Sequence, residues 1–216
     1  MILNFTIQDL LGSGLAVLIF PIVLLIPGYL LGWWLNLFEF RARTRPARYA
    51  IGMALSNACV PIYVYLLYRF VSGRFVLLTL LVYGVIFFLI DIWPLIGRDR
   101  SSRLATSAET WSYQRIFLVW AAVWAVFSIL LLVDWQFSSR LYFPATSYDY
   151  TTRAAVIDAI TRTGVPPINP SYFPGHAERL TFLYYYWYML PSLVEQIGGR
   201  LITARQALIA GVLWVP

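Results

Sequence analysis

Long runs of uncharged residues dominate the hydrophobic pattern of this chain. Acidic and basic residues divide the sequence into uncharged stretches at 10–38, 49–68, 75–90, 116–133 and 180–194. A helix needs about 20 apolar residues to cross the ~30 Å hydrocarbon layer of a membrane. The first, second and fourth stretches meet that length, the third does so with Asp91 near one end, and the fifth does so if it continues past Glu195. The pattern therefore predicts five membrane-spanning helices.

The two ends of the chain fit this pattern differently. The first stretch has 29 uncharged residues, too many for a cleaved signal peptide, and no Lys or Arg precedes it. Pro21 and Pro27 are expected to bend this helix, because each removes a donor from the backbone hydrogen-bond ladder. A last apolar stretch after Arg205 reaches Pro216 within 11 residues, too few to span. We therefore expect the chain to be the N-terminal part of a longer protein.

Composition indicates a membrane protein and excludes several other classes. Hydrophobic residues make up 60% of the 216 residues and charged residues only 12%, far from the averages of soluble domains. We predict an all-α fold, a polytopic transmembrane helix bundle with an external loop that contains a short amphipathic surface helix. Cys59 is the only cysteine, which excludes a disulfide framework. The net charge of +6 is attributed to membrane topology, and we expect no nucleic-acid partner.

All 16 basic residues are arginines, and their placement predicts the orientation. If every stretch crosses the membrane, ten arginines lie on one side, in the first, third and fifth connections: Arg41, Arg43, Arg45, Arg48, Arg98, Arg100, Arg103, Arg115, Arg200 and Arg205. The arginine-rich side of a membrane protein is usually cytoplasmic. We therefore expect a multi-pass protein of the cell membrane, with the N-terminus and the loop 134–179 on the outer side.

One helix is predicted inside that external loop. Thr146 and Asp149 have the spacing of a capping box, and Gly164 followed by Pro166 marks a stop, so residues 148–163 are expected to be helical. Apolar residues can line one side of this helix: Ala155, Val156, Ile157, Ala159 and Ile160. The other side holds polar residues, which predicts a short helix that lies along the membrane surface.

Asp149, at the start of this helix, is open to two interpretations. In the structural one it caps the helix and pairs with Arg153 four residues later, as Asp158 can pair with Arg162, each pair being worth about 0.2–0.5 kcal/mol. In the functional one it is a carboxylate at the mouth of a cavity, available as a general base or as a metal ligand. Spacing alone does not decide between the two.

The rest of the loop combines a stiff segment with ionisable and aromatic side chains. Three prolines make residues 164–170 an extended strap, because each fixes its own φ and restricts the residue before it. His176, Glu178 and Arg179 follow, and then an aromatic run that begins the next helix: Tyr184, Tyr185, Tyr186, Trp187 and Tyr188. Five consecutive aromatics cover every direction around a helix, so some are expected to face a polar cavity inside the protein.

Taken together, these motifs resemble a known family. An aspartate just outside a membrane helix, a surface helix, the motif R-x-G-V-P-P-x-N-P at 162–170 and L-Y-Y-Y-W-Y at 183–188 are similar to the first external loop of the GT-C superfamily of membrane glycosyltransferases. They are especially similar to the bacterial and archaeal membrane proteins named for their YYY motif. The resemblance covers about residues 116–210. It implies that 116–216 is the start of a GT-C-like core and that 1–115 is an extension of three helices.

The resemblance also implies an activity and a set of site residues. Enzymes of this superfamily transfer a sugar from a polyprenyl-phosphate donor, and an acid in the external loop is catalytic. In this chain that acid is Asp149, as a general base or as the ligand of a divalent metal ion. Five further residues are expected to contact the substrates: Arg153, Arg179, His176, Glu178 and Tyr185. The two arginines are candidates for stabilising the leaving phosphate.

Two other classes of function fit the same sequence. A multi-pass transporter would place ionisable residues inside several helices, because charges in a membrane are costly and usually functional. Asp91 and Glu195 are the only acids within the predicted membrane spans. A noncatalytic assembly or lipid-binding subunit is the third alternative. In a structure, Asp149 facing an external cavity would favour the transferase, whereas a continuous polar route through the bundle would favour transport.

Overall fold

The computed structural model describes residues 5–70, 73–96, 108–142, 147–171, 178–180 and 186–214. These residues are mostly helical, as the sequence predicts. The helices are α1 (Phe5–Leu35), α2 (Arg45–Phe70), α3 (Gly73–Phe87), α4 (Trp93–Ile96), α5 (Ala108–Leu132), α6 (Ser147–Thr163), α7 (Tyr186–Gly198) and α8 (Ala204–Trp214).

Three shorter elements connect or follow these helices. A 3-10 segment, Leu37–Ala42, follows α1, and a π-helical segment, Phe88–Ile92, joins α3 to α4. The strands β1 (Trp135–Phe137) and β2 (Arg140–Tyr142) form an antiparallel hairpin after α5. The all-α prediction did not include this hairpin.

Three helical segments are long and apolar enough to cross a membrane: Phe5–Leu35, Arg45–Phe70 and Phe75–Ile92. They correspond to the first three predicted spans, and they indicate a membrane protein. The fourth predicted span is helical in α5, but the described apolar part, Leu118–Leu132, is shorter. The fifth lies partly outside the described residues, and α7, its described part, has 13 residues.

Small residues bring α1 and α2 into direct backbone contact. A Cβ atom added to Gly28 would lie 2.0 Å from the carbonyl oxygen of Gly52 and 2.4 Å from the backbone nitrogen of Ser56. Position 28 therefore has no room for a side chain. Close approach of this kind is how membrane helices gain packing energy, because lipid gives them little hydrophobic reason to associate.

The same contact supports the backbone of α1 next to a proline. Pro27 lies inside α1 and cannot donate a backbone hydrogen bond. The N–H of the next residue, Gly28, donates to the Oγ of Ser56 at 2.7 Å. Serine hydroxyls of this kind are one way in which membrane helices tolerate proline. Pro21 and Pro27 thus both lie within a single continuous helix, Phe5–Leu35.

The helices α7 and α8 pack against the N-terminal half of α1 and the C-terminal half of α2. The hydroxyl of Tyr186 donates to the carbonyl of Asn57 in the middle of α2, and the hydroxyl of Tyr68 near the end of α2 donates to Gln196. The indole N–H of Trp214 donates to the carbonyl of Val17 at 2.9 Å. The main core lies between these helices and includes Ala16, Phe20, Val64, Ile160, Leu193 and Ala207.

The bounds of α6 agree with the prediction to within one residue, but the apolar face of the helix does not have the predicted contacts. Its apolar stripe exists, since Val156, Ile157, Ala159 and Ile160 are all buried. Ile157, however, packs in a cluster with residues of α8, and α6 contacts both α7 and α8. The stripe is therefore covered by protein, and the prediction that it lies on the membrane surface is wrong. The sequence pattern defines an apolar face but cannot say what covers it.

The predicted position of Arg205 is also wrong. Strict alternation places it at the opposite end of the bundle from the N-terminus, but its guanidinium contacts Asp9 in α1 and Asp134 just after α5. Arg200 lines the same cavity as Asp9. Moving these two arginines changes the count at the two ends from ten against six to eight against eight. The total number of arginines therefore no longer distinguishes the two ends.

A substitution at Gly28 tests the contact between α1 and α2. We expect Gly28→Ala to lower the free energy of unfolding by about 1–3 kcal/mol, the usual cost of overpacking, because the new methyl group would meet the backbone of α2. The loss is measured as a lower midpoint of thermal unfolding in detergent micelles. Gly84→Ala is the control, since a Cβ atom at Gly84 has no atom within 4 Å. Equal midpoints for the two variants would contradict the close contact.

Candidate functional site

Asp149 and Arg153 form an exposed ion pair at the start of α6. Asp149 lies in the first turn of the helix, where a carboxylate is favoured by the positive end of the helix dipole. Its Oδ2 atom is 2.7 Å from the guanidinium of Arg153, and the two side chains are 64% and 49% exposed. The pair predicted from the spacing is therefore present. An exposed pair of this type contributes little to stability, which leaves the carboxylate available for other partners.

A second pair on the same helix has the same geometry. The guanidinium of Arg162 lies 2.8 Å from Asp158, again four residues apart. Helix geometry alone accounts for both pairs. The two pairs border different openings. Arg153 lines one of about 110 Å³ together with Asn57, Tyr186 and Trp187, whereas Asp158 and Arg162 line a cleft of about 490 Å³.

Two aromatic rings border this opening. The rings of Tyr186 and Trp187 meet edge to face with their centres 5.5 Å apart, and both side chains are exposed. Phe20 from the middle of α1 and Asn57 from the middle of α2 line the same opening. The carboxylate of Asp149 thus pairs with Arg153, and Arg153 lies beside an apolar surface that contains these two aromatic rings. This surface is level with the middle of α1 and α2.

Two of the predicted site residues, Arg179 and Glu178, do not lie beside Asp149. Arg179 donates from its guanidinium to the carbonyl of Pro166 at 2.7 Å, and the carbonyl of Glu178 accepts from the backbone of Asn169 at 2.9 Å. These contacts hold the proline strap after α6. Since a helix rises about 1.5 Å per residue, the strap lies roughly 20 Å from Asp149. His176 and Tyr185 lie outside the described residues.

The surroundings of Asp149 do not fit a divalent metal ion. Oxygen-binding metal sites need several carboxylate or carbonyl ligands. In the part of the chain that the structure describes, no group of three or more His, Cys, Asp or Glu residues could hold a metal ion. The ion-pair partner of Asp149 is a cation, Arg153. The residues present therefore support a general base better than a metal ligand.

A buried ionic network joins three helices at the N-terminal end of α1. Arg205 of α8 contacts Asp9 and Asp134, each at 2.7 Å, and also donates to the carbonyl of Leu132 at 2.7 Å. Gln206 adds a hydrogen bond to the second oxygen of Asp9 at 3.0 Å. We name these four side chains, Asp9, Asp134, Arg205 and Gln206, the Arg205 network. It fastens α8 and the end of α5 to the first turns of α1.

The Arg205 network has two carboxylates for one guanidinium. Burial raises the pKa of Asp134, while the neighbouring Arg205 lowers it and the carboxylate of Asp9 raises it further. Asp9 is only 4% exposed. Sequence reasoning missed this network because Asp9 and Asp134 border the predicted spans and Arg205 was attributed to the other side. The position of both acids at the N-terminal end of α1 is the feature from which this network could have been predicted.

A third buried carboxylate lies at the opposite end of α1. Asp91 is 1% exposed and accepts hydrogen bonds from the hydroxyls of Tyr29 at 2.7 Å and Tyr49 at 2.5 Å. The guanidiniums of Arg45 and Arg48 are each 3.7 Å from it. The π-helical segment that contains Asp91 turns this side chain inward, and such segments are frequent at functional sites.

Glu195 is a fourth buried acid, between α6 and α7. Its Oε2 atom is 2.7 Å from the hydroxyl of Thr161, and it lines a cleft of about 490 Å³ with Arg162, Arg200 and Arg205. Burial raises the pKa of the Glu195 carboxyl to about 7. The hydroxyl of Thr161 donates to this carboxylate and lowers its pKa, but by less than burial raises it.

Comparison with known proteins adds no relative. The chain matches no protein-family model, no curated protein and no solved structure.

Removal of the shared cation tests the Arg205 network. We expect Arg205→Gln to lower the free energy of unfolding by about 3–5 kcal/mol, because it leaves the carboxylates of Asp9 and Asp134 buried without their partner. Chemical unfolding in detergent micelles measures the change. The loss should shrink at low pH, where the Asp134 carboxylate, whose pKa is raised by burial, takes up a proton. Arg200→Gln is the matched control, since Arg200 is exposed, and a similar loss in that variant would contradict the network's role.

The raised pKa of Glu195 predicts a pH dependence of stability. Between the ordinary value of 4.5 and about 7, the unfolded chain loses this proton while the folded chain keeps it. Folding stability should therefore fall as pH rises through this window and become level above it. Glu195→Gln should flatten this part of the profile. Unfolding measured from pH 4 to 8 would contradict the assignment if Glu195→Gln and Glu178→Gln, an exposed control, gave the same profile as the unsubstituted protein.

Proposed function

We propose that the chain is part of a membrane glycosyltransferase that moves a sugar from a polyprenyl-phosphate donor to an acceptor on the outer face of the membrane. The observation that carries this proposal is the setting of Asp149. Its carboxylate is exposed, and Arg153, which pairs with it, lines an opening edged by Tyr186 and Trp187. A base, a cation and apolar rings therefore lie together, and sugar transfer from a lipid phosphate uses all three.

Asp149 acts as the general base in this proposal. It takes the proton of the acceptor hydroxyl as the hydroxyl oxygen attacks the anomeric carbon of the sugar. The bond from that carbon to the phosphate oxygen breaks, and its electron pair goes to the phosphate. The leaving lipid phosphate needs no proton at neutral pH, since its second pKa is about 6. One base and one cation are sufficient for this reaction.

Arg153 changes partner during the reaction. In the free protein its guanidinium neutralises Asp149 at 2.7 Å. An exposed i,i+4 pair is worth only about 0.2–0.5 kcal/mol, so a donor phosphate can draw Arg153 away at small cost. Donor binding would then free the carboxylate of Asp149 as a base and place a cation on the leaving group. The exposed rings of Tyr186 and Trp187 would contact the apolar part of the donor.

The proposed orientation rests on the short connections between helices. The positive-inside rule counts arginines in short loops and near the ends of spans. By sequence, the connections after the first and third predicted spans contain eight such arginines, in residues 41–48 and 98–115, whereas Arg69, Arg74 and Arg140 flank the other connections. We therefore propose that the N-terminal end of α1 faces the outer side.

A transport function has less support. Its two requirements are ionisable groups along a path and a polar connection between them. The carboxylates of Asp9 and Asp91 lie at opposite ends of α1, and each is held by arginine. Among the described residues, the core between them is mainly apolar and includes Phe20, Val23, Leu24 and Val60.

The proposed reaction is tested by Asp149→Asn. We expect this change to lower turnover about 10²–10⁴-fold, the usual contribution of a general base. Membranes containing the full-length protein are supplied with a panel of polyprenyl-phosphate hexoses, and the released polyprenyl phosphate is measured. Arg153→Gln should raise the KM for the donor as well as lower kcat, because Arg153 contacts the phosphate.

The second ion pair of α6 supplies a matched control. Asp158→Asn removes a carboxylate with the same i,i+4 arginine partner and should leave turnover unchanged. The proposal is wrong if both substitutions have the same effect. It is also wrong if the unsubstituted protein releases polyprenyl phosphate from no donor of the panel.

A further inference from the structure

An apolar groove lies between the three membrane-length helices. It has a volume of about 500 Å³ and is lined by residues of α1, α2 and the α3 region, among them Gly28, Trp33, Cys59, Tyr63, Tyr83 and Ile90. Tyr63 and Tyr83 meet across it with ring centres 6.0 Å apart. The groove therefore runs from the middle of α2 toward the end of α1.

Arginines gather where the groove reaches the end of α1. The ring of Trp33 lines the groove, and the guanidiniums of Arg41 and Arg48 lie over that ring, 5.9 Å and 5.5 Å from its centre. The exposed side chain of Trp34 lines the same end. An aromatic side chain at a membrane interface commonly marks the level of the lipid headgroups.

The charge at this end is not balanced within the protein. Of the four arginines here, Arg43 pairs with Glu39, Arg45 and Arg48 share Asp91, and Arg41 has no acid partner in the described contacts. This leaves a surplus of two positive charges. The Nε atom of Arg48 is also buried without a hydrogen-bond partner among the described residues. Unmatched donors and cations beside an apolar groove fit an anionic headgroup with an apolar tail.

The backbone here is held in an uncommon conformation. Asn36, Phe38 and Glu39 have φ values of 50°, 55° and 56°, in the left-handed region that non-glycine residues rarely adopt. This turn allows Arg41 to donate to the carbonyls of Trp33 and Trp34 at the end of α1, at 2.8 Å and 3.2 Å. The surrounding contacts thus fix a guanidinium against Trp33, at the mouth of the groove.

We propose that this groove binds one anionic glycerophospholipid of the bilayer, with an acyl chain between α1, α2 and α3 and the phosphate at Arg41 and Arg48. The site lies at the Asp91 end of the bundle and does not depend on the proposed transferase reaction. Phosphate contacts with two guanidiniums are charge-assisted and strong. The acyl chain covers the apolar walls that the protein itself leaves open.

Lipid retention measures this preference directly. The full chain is reconstituted in nanodiscs with equal phosphatidylglycerol and phosphatidylcholine, re-extracted in mild detergent, and analysed for bound lipid by native mass spectrometry. We expect phosphatidylglycerol to exceed phosphatidylcholine severalfold. Arg41→Gln should lower that ratio at least threefold, whereas Arg140→Gln, an exposed arginine in the β hairpin, should leave it unchanged. Equal retention of the two lipids, or the same loss in both variants, would overturn the proposal.

A groove-filling variant tests the acyl-chain part separately. Cys59 is exposed within the groove, so Cys59→Trp fills it without removing an arginine. This variant should retain less of both lipids while remaining folded by circular dichroism. Unchanged retention in Cys59→Trp would overturn the site. Displacement of phosphatidylglycerol by an equal amount of polyprenyl phosphate would overturn the choice of a glycerophospholipid as the occupant.

Discussion

The cost of burying a charge governs the arrangement of this structure. An unpaired carboxylate away from water is unfavourable by several kcal/mol, so each buried acid must bring a cation or several donors to itself. At one end of α1, Asp9 and Asp134 share the guanidinium of Arg205, and at the other end Asp91 gathers two tyrosines and two arginines. These two requirements determine which helix ends meet, since the partners come from residues far apart in sequence.

Between the two charged ends, close packing of the helix backbones holds the helices together. The backbone contact at Gly28 and Gly52 brings α1 and α2 together, and Ser56 accepts the hydrogen bond that the backbone beside Pro27 offers. This contact is consistent with a membrane setting, where close packing and satisfied backbone groups replace the hydrophobic effect.

The candidate site differs from these buried clusters. The ion pair of Asp149 and Arg153 is exposed and weak, so its members can exchange partners, whereas the carboxylates of the Arg205 network and of Asp91 are buried against fixed partners. The spacing in the sequence predicted the Asp149–Arg153 pair, because four residues make one helical turn. It also grouped Arg179 and Glu178 with them. The structure separates these residues, because α6 is straight and extends between Asp149 and the proline strap, so proximity along the chain does not become proximity in space.

The sequence by itself determined the helical class, three membrane-length helices, the bounds of α6 and its apolar face. Each of these depends on residues within about 20 positions of one another, through hydrophobic length, 3.6-residue periodicity and the stop at Gly164 and Pro166. Only the tertiary structure decided what covers the face of α6, where α8 lies, and which arginine joins Asp9 to Asp134. Those features depend on charges and surfaces far apart in sequence, 71 residues for Asp134 and Arg205 and 196 for Asp9 and Arg205. A periodic pattern contains no information about the partner that neutralises a distant charge.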